Sequence, residues 1–196
     1  MTDYSRHSLD ELIDVITTWP VGVPVRAMER VLAMGEDAVP LLIEALDRWR
    51  TDESRDLFWL VVLLGEMRSA NTIQALTDRV QAADEDGLAE AAAEGLAKIG
   101  APSLPALSQL VTAADPLVRI YVYGALSGIR DNQAFSLLVD AFSRDQGSGD
   151  VLEQALCDQG KSEAVPLLYK AYNNCEPWRL RSLTFRRQFD DRAERR

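Results

Sequence analysis

The side chains that carry most protein chemistry are thinly supplied in this sequence. It holds one histidine, His7, and two cysteines, Cys157 and Cys175, among 196 residues. A single histidine excludes a multi-histidine zinc centre, and the two cysteines lack the close spacing of a thiolate metal site or a redox pair. A Cys–His nucleophile pair would have to be assembled across most of the chain. His7 falls in the N-terminal segment, where a structural role is expected. Carboxylates are abundant, but abundance on the wet faces of helices is not the close pairing that general acid–base work requires. Gly147-Ser148-Gly149 lacks the pattern of a phosphate-binding loop and reads as a flexible connection ahead of an N-cap at Asp150. No catalytic constellation, bound metal, nucleotide or other cofactor is expected.

Composition narrows the classes further. Hydrophobic residues make up 47% and charged residues 27%, the balance of a soluble folded protein. The net charge is -10. Such a surface repels phosphate backbones, whose affinity for proteins rests on clustered Lys and Arg, so nucleic-acid binding by the main body is not expected. The longest apolar stretch, Leu57 to Gly65, is far short of the ~20 residues that span a bilayer. Residues Met1 to Leu9 lack the basic and apolar regions of an export signal. Together with the sparse cysteines, these features point to a cytoplasmic protein.

The elements that must position any site are helices. Runs such as Ala38 to Leu46 and Ala89 to Leu96 are rich in helix formers with apolar residues at three- and four-residue spacing. Five segments superpose on a short turn at Gly35, Arg68, Gly100, Arg130 and Gly160. Four residues before that turn stand Val31, Leu64, Leu96, Leu126 and Leu156. One residue before it stand Met34, Met67, Ile99, Ile129 and a single departure, Gln159. Beyond the turn three columns recur: Val39, Ile73, Leu104, Phe135 and Val165; Leu42, Leu76, Leu107, Leu138 and Leu168; and Leu46, Val80, Val111, Phe142 and Tyr172. At 47% apolar content, apolar residues would fill all these second-helix places by chance on the order of once in 10⁵. Each unit is therefore a pair of amphipathic helices, and one pair cannot bury its apolar faces without neighbours.

Punctuation follows the same register. Ser8 with Glu11 makes a capping-box pattern for an N-terminal helix ending before Trp19 and Pro20, and Asp37, Asp115, Asp131, Asp150 and Ser162 stand where N-caps are wanted. Pro40, Pro102, Pro105, Pro116 and Pro166 lie in or near first helical turns. Gly35, Gly100 and Gly160 suit a left-handed turn at a helix end, whereas Arg68 and Arg130 are expected to end their helices in another way.

Leu64-Gly65-Glu66-Met67 through Ile73-Gln74-Ala75-Leu76, Asp115-Pro116-Leu117-Val118-Arg119 through Ala125-Leu126, and Glu163-Ala164-Val165-Pro166-Leu167-Leu168 resemble HEAT repeats, more narrowly the short bacterial type of the phycobilisome lyases. The resemblance spans roughly residues 21–174. It implies an all-α, right-handed α-α superhelix of about five helix pairs with capping helices at both ends, its second helices lining the concave face, and a protein-binding scaffold or adaptor as its function. It carries over no catalytic residue. Only one repeat opens with the full Asp-Pro-x-Val-Arg sequence, so an Asp-to-Arg ladder between neighbours is not expected throughout. Two other readings are a bilin-lyase-like or chaperone-like accessory protein and a HEAT-like DNA glycosylase, the last of which needs a cationic groove.

On that geometry the outward columns of the second helices form the groove. Glu44, Asp78, Gln109, Asp140 and Lys170 make one column, and Asp47, Gln81, Thr112, Ser143 and Asn173 the next. They read as a polar, acid-leaning surface for a basic or polar protein or peptide of unknown identity, or as a solvated face on which Glu44 with Arg48 and Asp140 with Arg144 are i,i+4 pairs. Trp49 is the candidate exposed anchor, because Trp and Tyr are enriched at interface hot spots. Trp59 is expected in the core. Cys157 shares a column with Leu32, Gly65, Ala97 and Ser127 and is expected to be a buried packing thiol. The chain divides into a solenoid over residues 1–176 and a capping helix with a basic tail over 177–196. That second segment holds seven arginines and three acids, so it can fold back on the acidic body or contact another acidic chain or RNA. Trp178, Leu180, Leu183, Phe185 and Phe189 would supply the apolar side of the cap.

Overall fold

Helix-forming stretches separated by glycine- and proline-marked breaks lead to a chain of short helices in the computed structural model, which describes residues 4–19, 22–83 and 87–174. Regular structure among these residues is entirely helical: α1 (Leu9–Thr17), α2 (Val25–Leu32), α3 (Val39–Arg48), α4 (Phe58–Glu66), α5 (Ile73–Ala82), α6 (Leu88–Ile99), α7 (Leu104–Leu110), α8 (Pro116–Gly128), α9 (Asn132–Arg144), α10 (Gly149–Gln159) and α11 (Ala164–Asn174). Helices α2 to α11 fall into five pairs joined at the five turns read from the sequence, giving a solenoid of first helices (α2, α4, α6, α8, α10) and second helices (α3, α5, α7, α9, α11). The expected cap over residues 177–189 lies outside the described residues.

The aligned columns are the core. Val31, Leu64, Leu96, Leu126 and Leu156 are all completely buried, as are Leu42, Leu76, Leu107 and Leu138. A further column went unread in the sequence: Ala38, Thr72, Ser103, Ala134 and Ala164, each at most 2% exposed, sit where the second helix begins. Its members are small, and two carry hydroxyls, so it has no hydrophobic signature. The hydroxyls are satisfied locally, Thr72 donating to the Ser69 carbonyl at 2.9 Å and Ser103 to the Leu96 and Gly100 carbonyls at 2.9 and 2.7 Å. Burial therefore leaves no unpaired donor there.

At the N-terminus the Ser8 amide donates to the Glu11 carboxylate at 2.7 Å and the Glu11 amide to the Ser8 hydroxyl at 3.3 Å, completing the capping box. Leu12, Ile13 and Ile16 of α1 are buried against the first two pairs, closing that end of the core. Asp115 and Asp131 cap α8 and α9. Asp37 and Asp150 do not cap: the first lies inside a 3-10 turn, Gly35–Ala38, and the second inside α10. Asp145 instead receives the Gly147 amide ahead of α10.

The two arginine turns resolve differently. Arg68 takes the left-handed conformation itself, at φ 51°, although its β-carbon makes that cost about 1 kcal/mol. At Arg130 the chain turns through an extended Ile129. The carbonyls at the end of α8 are met by the next repeat, whose buried Gln159 donates from Nε2 to Leu126, Ser127 and Ile129 at 2.8, 3.2 and 2.8 Å. The one polar residue in an apolar column is thus the C-cap of its neighbour.

First and second helices are spaced unequally. A β-carbon built on Gly65 would lie 2.6 Å from Gly95 Cα, and one on Gly128 would lie 3.1 Å from the Ala97 β-carbon. These small residues let α4, α6, α8 and α10 approach one another more closely than α3, α5, α7 and α9 do. The first helices, closer to one another, are termed the inner layer, and the second helices the outer layer.

Candidate interaction surface

The inner layer carries a depression. It has a volume of about 780 Å³ and lies across α6, α8 and the start of α10. Ala93, Ala97, Gly124, Ala125 and Gly128 line it with small side chains, Ile120, Tyr121 and Val151 add larger apolar ones, and Arg68, Glu90, Glu94 and Lys98 bring charge of both signs. Lys98 is held by Glu66 of the preceding repeat at 2.7 Å. Gly124 stands out physically. It sits inside α8, where glycine is destabilising by roughly 0.5–1 kcal/mol relative to alanine, yet an added β-carbon would meet nothing within 4 Å. Gly65 and Gly95 are required by helix packing; Gly124 is not.

Helix α8 is anchored at its first turns by a polar brace. Arg119 donates from Nε to Asp145 Oδ2 at 2.8 Å and from its terminal nitrogen to the Ala113 and Ala114 carbonyls at 2.7 and 3.0 Å. The Tyr123 hydroxyl donates to the same Asp145 oxygen at 2.9 Å, and Ser148 does so at 3.1 Å. The Arg119 guanidinium leads in holding the Asp145 carboxyl down to about 2. Burial, then the adjacent Asp145, pushes the Tyr123 phenol up to about 12. Neither group titrates near neutrality, so the brace is a fixed support for the helix that presents Ile120, Tyr121 and Gly124. Arg55 makes a comparable tie at the other end of the stack, to Asp14 and the Thr17 hydroxyl, both at 2.9 Å.

The residues singled out in the sequence lie on the outer layer. Glu44, Asp47, Arg48, Asp78, Gln81, Gln109, Asp140, Arg144 and Lys170 are exposed, and the side chain of Asn173 lies outside the described residues. Glu44 pairs with Arg48, and Asp78 accepts from Gln74 at 2.8 Å. Arg144 donates to the Asp140 backbone carbonyl at 3.1 Å. None of these residues lines the depression. Asp47 lies 3.9 Å from Arg79, a buried arginine in a column otherwise holding Ala45, Leu110, Ala141 and Ala171.

Trp49 is not an exposed anchor. It is half-buried against the core with the Arg55 guanidinium 4.0 Å over its ring, and Arg55 in turn pairs with Asp14 of α1. Trp59 is half-buried, edge-on to Phe58, and Tyr123 is core, whereas Tyr121 lines the depression. Cys157 is half-buried rather than buried, and His7 rests edge-on against Tyr4.

The sequence did hold a signal for the depression. Ile120 stands ten residues before its turn, a place held in the other repeats by Val25, Phe58, Glu90 and Asp150. Trp59, Tyr121 and Val151 share the next one.

Comparison with known proteins agrees with this architecture. Residues 73–157, from the start of α5 into α10, match the family of HEAT repeats. No curated protein matches the chain. The matched stretch contains the depression's α6 and α8 and the whole Arg119–Asp145 brace. Among the described residues, no helix is long and apolar enough to cross a membrane.

Proposed function

We propose that the chain is a protein-binding scaffold whose partner docks on the inner layer, with an aliphatic or aromatic anchor seated between α6 and α8. The observation that carries this reading is the open, glycine-lined depression. Apolar side chains flank it, charges of both signs lie beside it, and α8 is held rigid by the brace. Small apolar sites with polar surroundings are where anchor residues contribute most to binding, and a fixed backbone reduces the ordering cost of association. HEAT repeats as a class commonly serve protein interaction, which supports the same reading.

The outer columns around Glu44, Asp47, Asp78 and Asp140 supply the competing surface, and one experiment separates the two. Gly124→Trp projects an indole into the depression from a position whose β-carbon meets open space, while a Glu44→Lys, Asp47→Lys, Asp78→Lys, Asp140→Lys variant reverses the outer charge. Affinity capture with quantitative mass spectrometry should show partners lost by the first variant and kept by the second. The opposite pattern moves binding to the outer layer, and partners kept by both variants reject both surfaces.

A further inference from the structure

The charges beside the depression are sorted by sign along the helices. Close contacts set the register. A β-carbon on Gly65 would meet Gly95 Cα at 2.6 Å, and one on Gly128 would meet the Ala97 β-carbon at 3.1 Å. Successive first helices run the same way, so Arg68 lies level with Lys98, and Gly124 level with Ala93 and Glu94. Glu90 and Glu94 therefore stand toward the end where α6 begins, and Lys98 and Arg68 at the end where it finishes. Glu90 and Lys98 are about 12 Å apart along the helix axis.

Part of this order serves the helix itself. Glu90 in the first turn of α6 and Lys98 in the last complement its dipole, and Lys98 is already tied to Glu66. Glu94 and Arg68 are left over. Glu94 lies in the middle of α6, away from either end of the dipole. Arg68 holds its charge at a left-handed turn, φ 51°, of the kind that three other repeats give to Gly35, Gly100 and Gly160. Glu90, Glu94 and Arg68 are all exposed and all line the depression, and none of them makes a hydrogen bond or ion pair with a described residue. Carboxylates toward one end and a guanidinium at the other are thus open to a ligand that spans the depression.

We propose that the depression takes a short extended segment of its protein partner, in which a basic residue and a carboxylate flank an apolar one. This rests on the reading that the partner docks there, and it names what is recognised. In an extended chain residues i, i+2 and i+4 point to one side and span about 13 Å, which matches the spacing of the charges. The basic side chain meets Glu90 and Glu94, the apolar one sits over Gly124, and the carboxylate meets the planar fork of Arg68. Such complementarity selects a partner more than it adds affinity.

Three capped pentapeptides test this against the full chain at physiological ionic strength: Arg-Ala-Leu-Ala-Glu, Arg-Ala-Leu-Ala-Arg and Glu-Ala-Leu-Ala-Glu, each followed through the Gly124 amide by NMR titration. The mixed peptide should shift that amide and bind about fivefold more tightly than either of the others. Arg68→Gly, which the left-handed turn accepts, should erase its advantage over the dibasic peptide. Glu94→Gln should reduce its advantage over the diacidic one. Equal binding of all three, tightest binding of a single-sign peptide, or an advantage that survives both substitutions overturns the inference and leaves the depression as the docking site. A Gly124 amide unmoved by every peptide overturns the docking reading as well.

Discussion

The first-helix and second-helix layers are built from the same number of helices and differ in what separates them. Between first helices stand Gly65, Gly95, Ala97 and Gly128, and the backbones close up. The second helices approach one another less closely. The closer approach of the first helices thus follows from a few small residues in that layer. Charge on the other layer, however conspicuous in the sequence, has no bearing on it.

Four measurements test that contrast. The largest effect belongs to the shared core, where the layers should not differ. Leu64→Ala in the first layer and Leu76→Ala in the second should each lower stability to chemical denaturation by about 2–5 kcal/mol. A much smaller loss in either would mean that its layer is not closely packed. Next, Gly65→Ala and Gly124→Ala apply one substitution to two positions of the same layer and should act in opposite directions. The first forces a β-carbon against the Gly95 backbone and should cost about 1–3 kcal/mol. The second should raise stability by roughly 0.5–1 kcal/mol, since its β-carbon meets open space. Equal signs would remove the distinction between packing glycines and the open one.

The brace that supports the inner layer makes a third prediction through pH. Asp145 has a folded value of about 2, below that of an unfolded aspartate, so its contribution is complete above about pH 4 and is lost as the pH falls toward 2. The size is on the order of 2 kcal/mol. Tyr123 has the opposite sense. With a folded value of about 12, its contribution is complete below about pH 10 and is lost as the pH climbs toward 12. Asp145→Asn should flatten the acid limb of a stability-against-pH curve, and an unaltered limb would assign the acid sensitivity elsewhere. The smallest effect is on the outer layer. Asp78→Lys or Asp140→Lys should move stability by no more than about 0.5 kcal/mol, and a larger change would show that these columns do more than face solvent.

Much of the fold was legible because the repeat writes it several times. The Val31–Leu156 and Leu42–Leu168 columns are apolar in every unit, and all their members prove buried. Ser8, Glu11, Asp115 and Asp131 mark helix starts through side-chain oxygens that need only local amides. Legibility failed where the partner lies in another repeat. Gln159 looked like an interruption until the carbonyls of α8 were seen around its amide. Trp49 looked available until Arg55 was found over its ring. The Ala38–Ala164 column was invisible because small residues carry no periodic hydrophobic signal.

Periodicity, helix class, the number of pairs and the identity of the core are properties of residue type repeated along one dimension, and the amino-acid sequence determined them alone. Which layer is closely spaced, where the depression opens and which aromatic residues stay accessible depend on how closely helices of different repeats approach. Those distances are set by the closest approach of side chains from different repeats, here glycine against glycine. Only the folded stack brings such pairs together, so only the tertiary structure decided them.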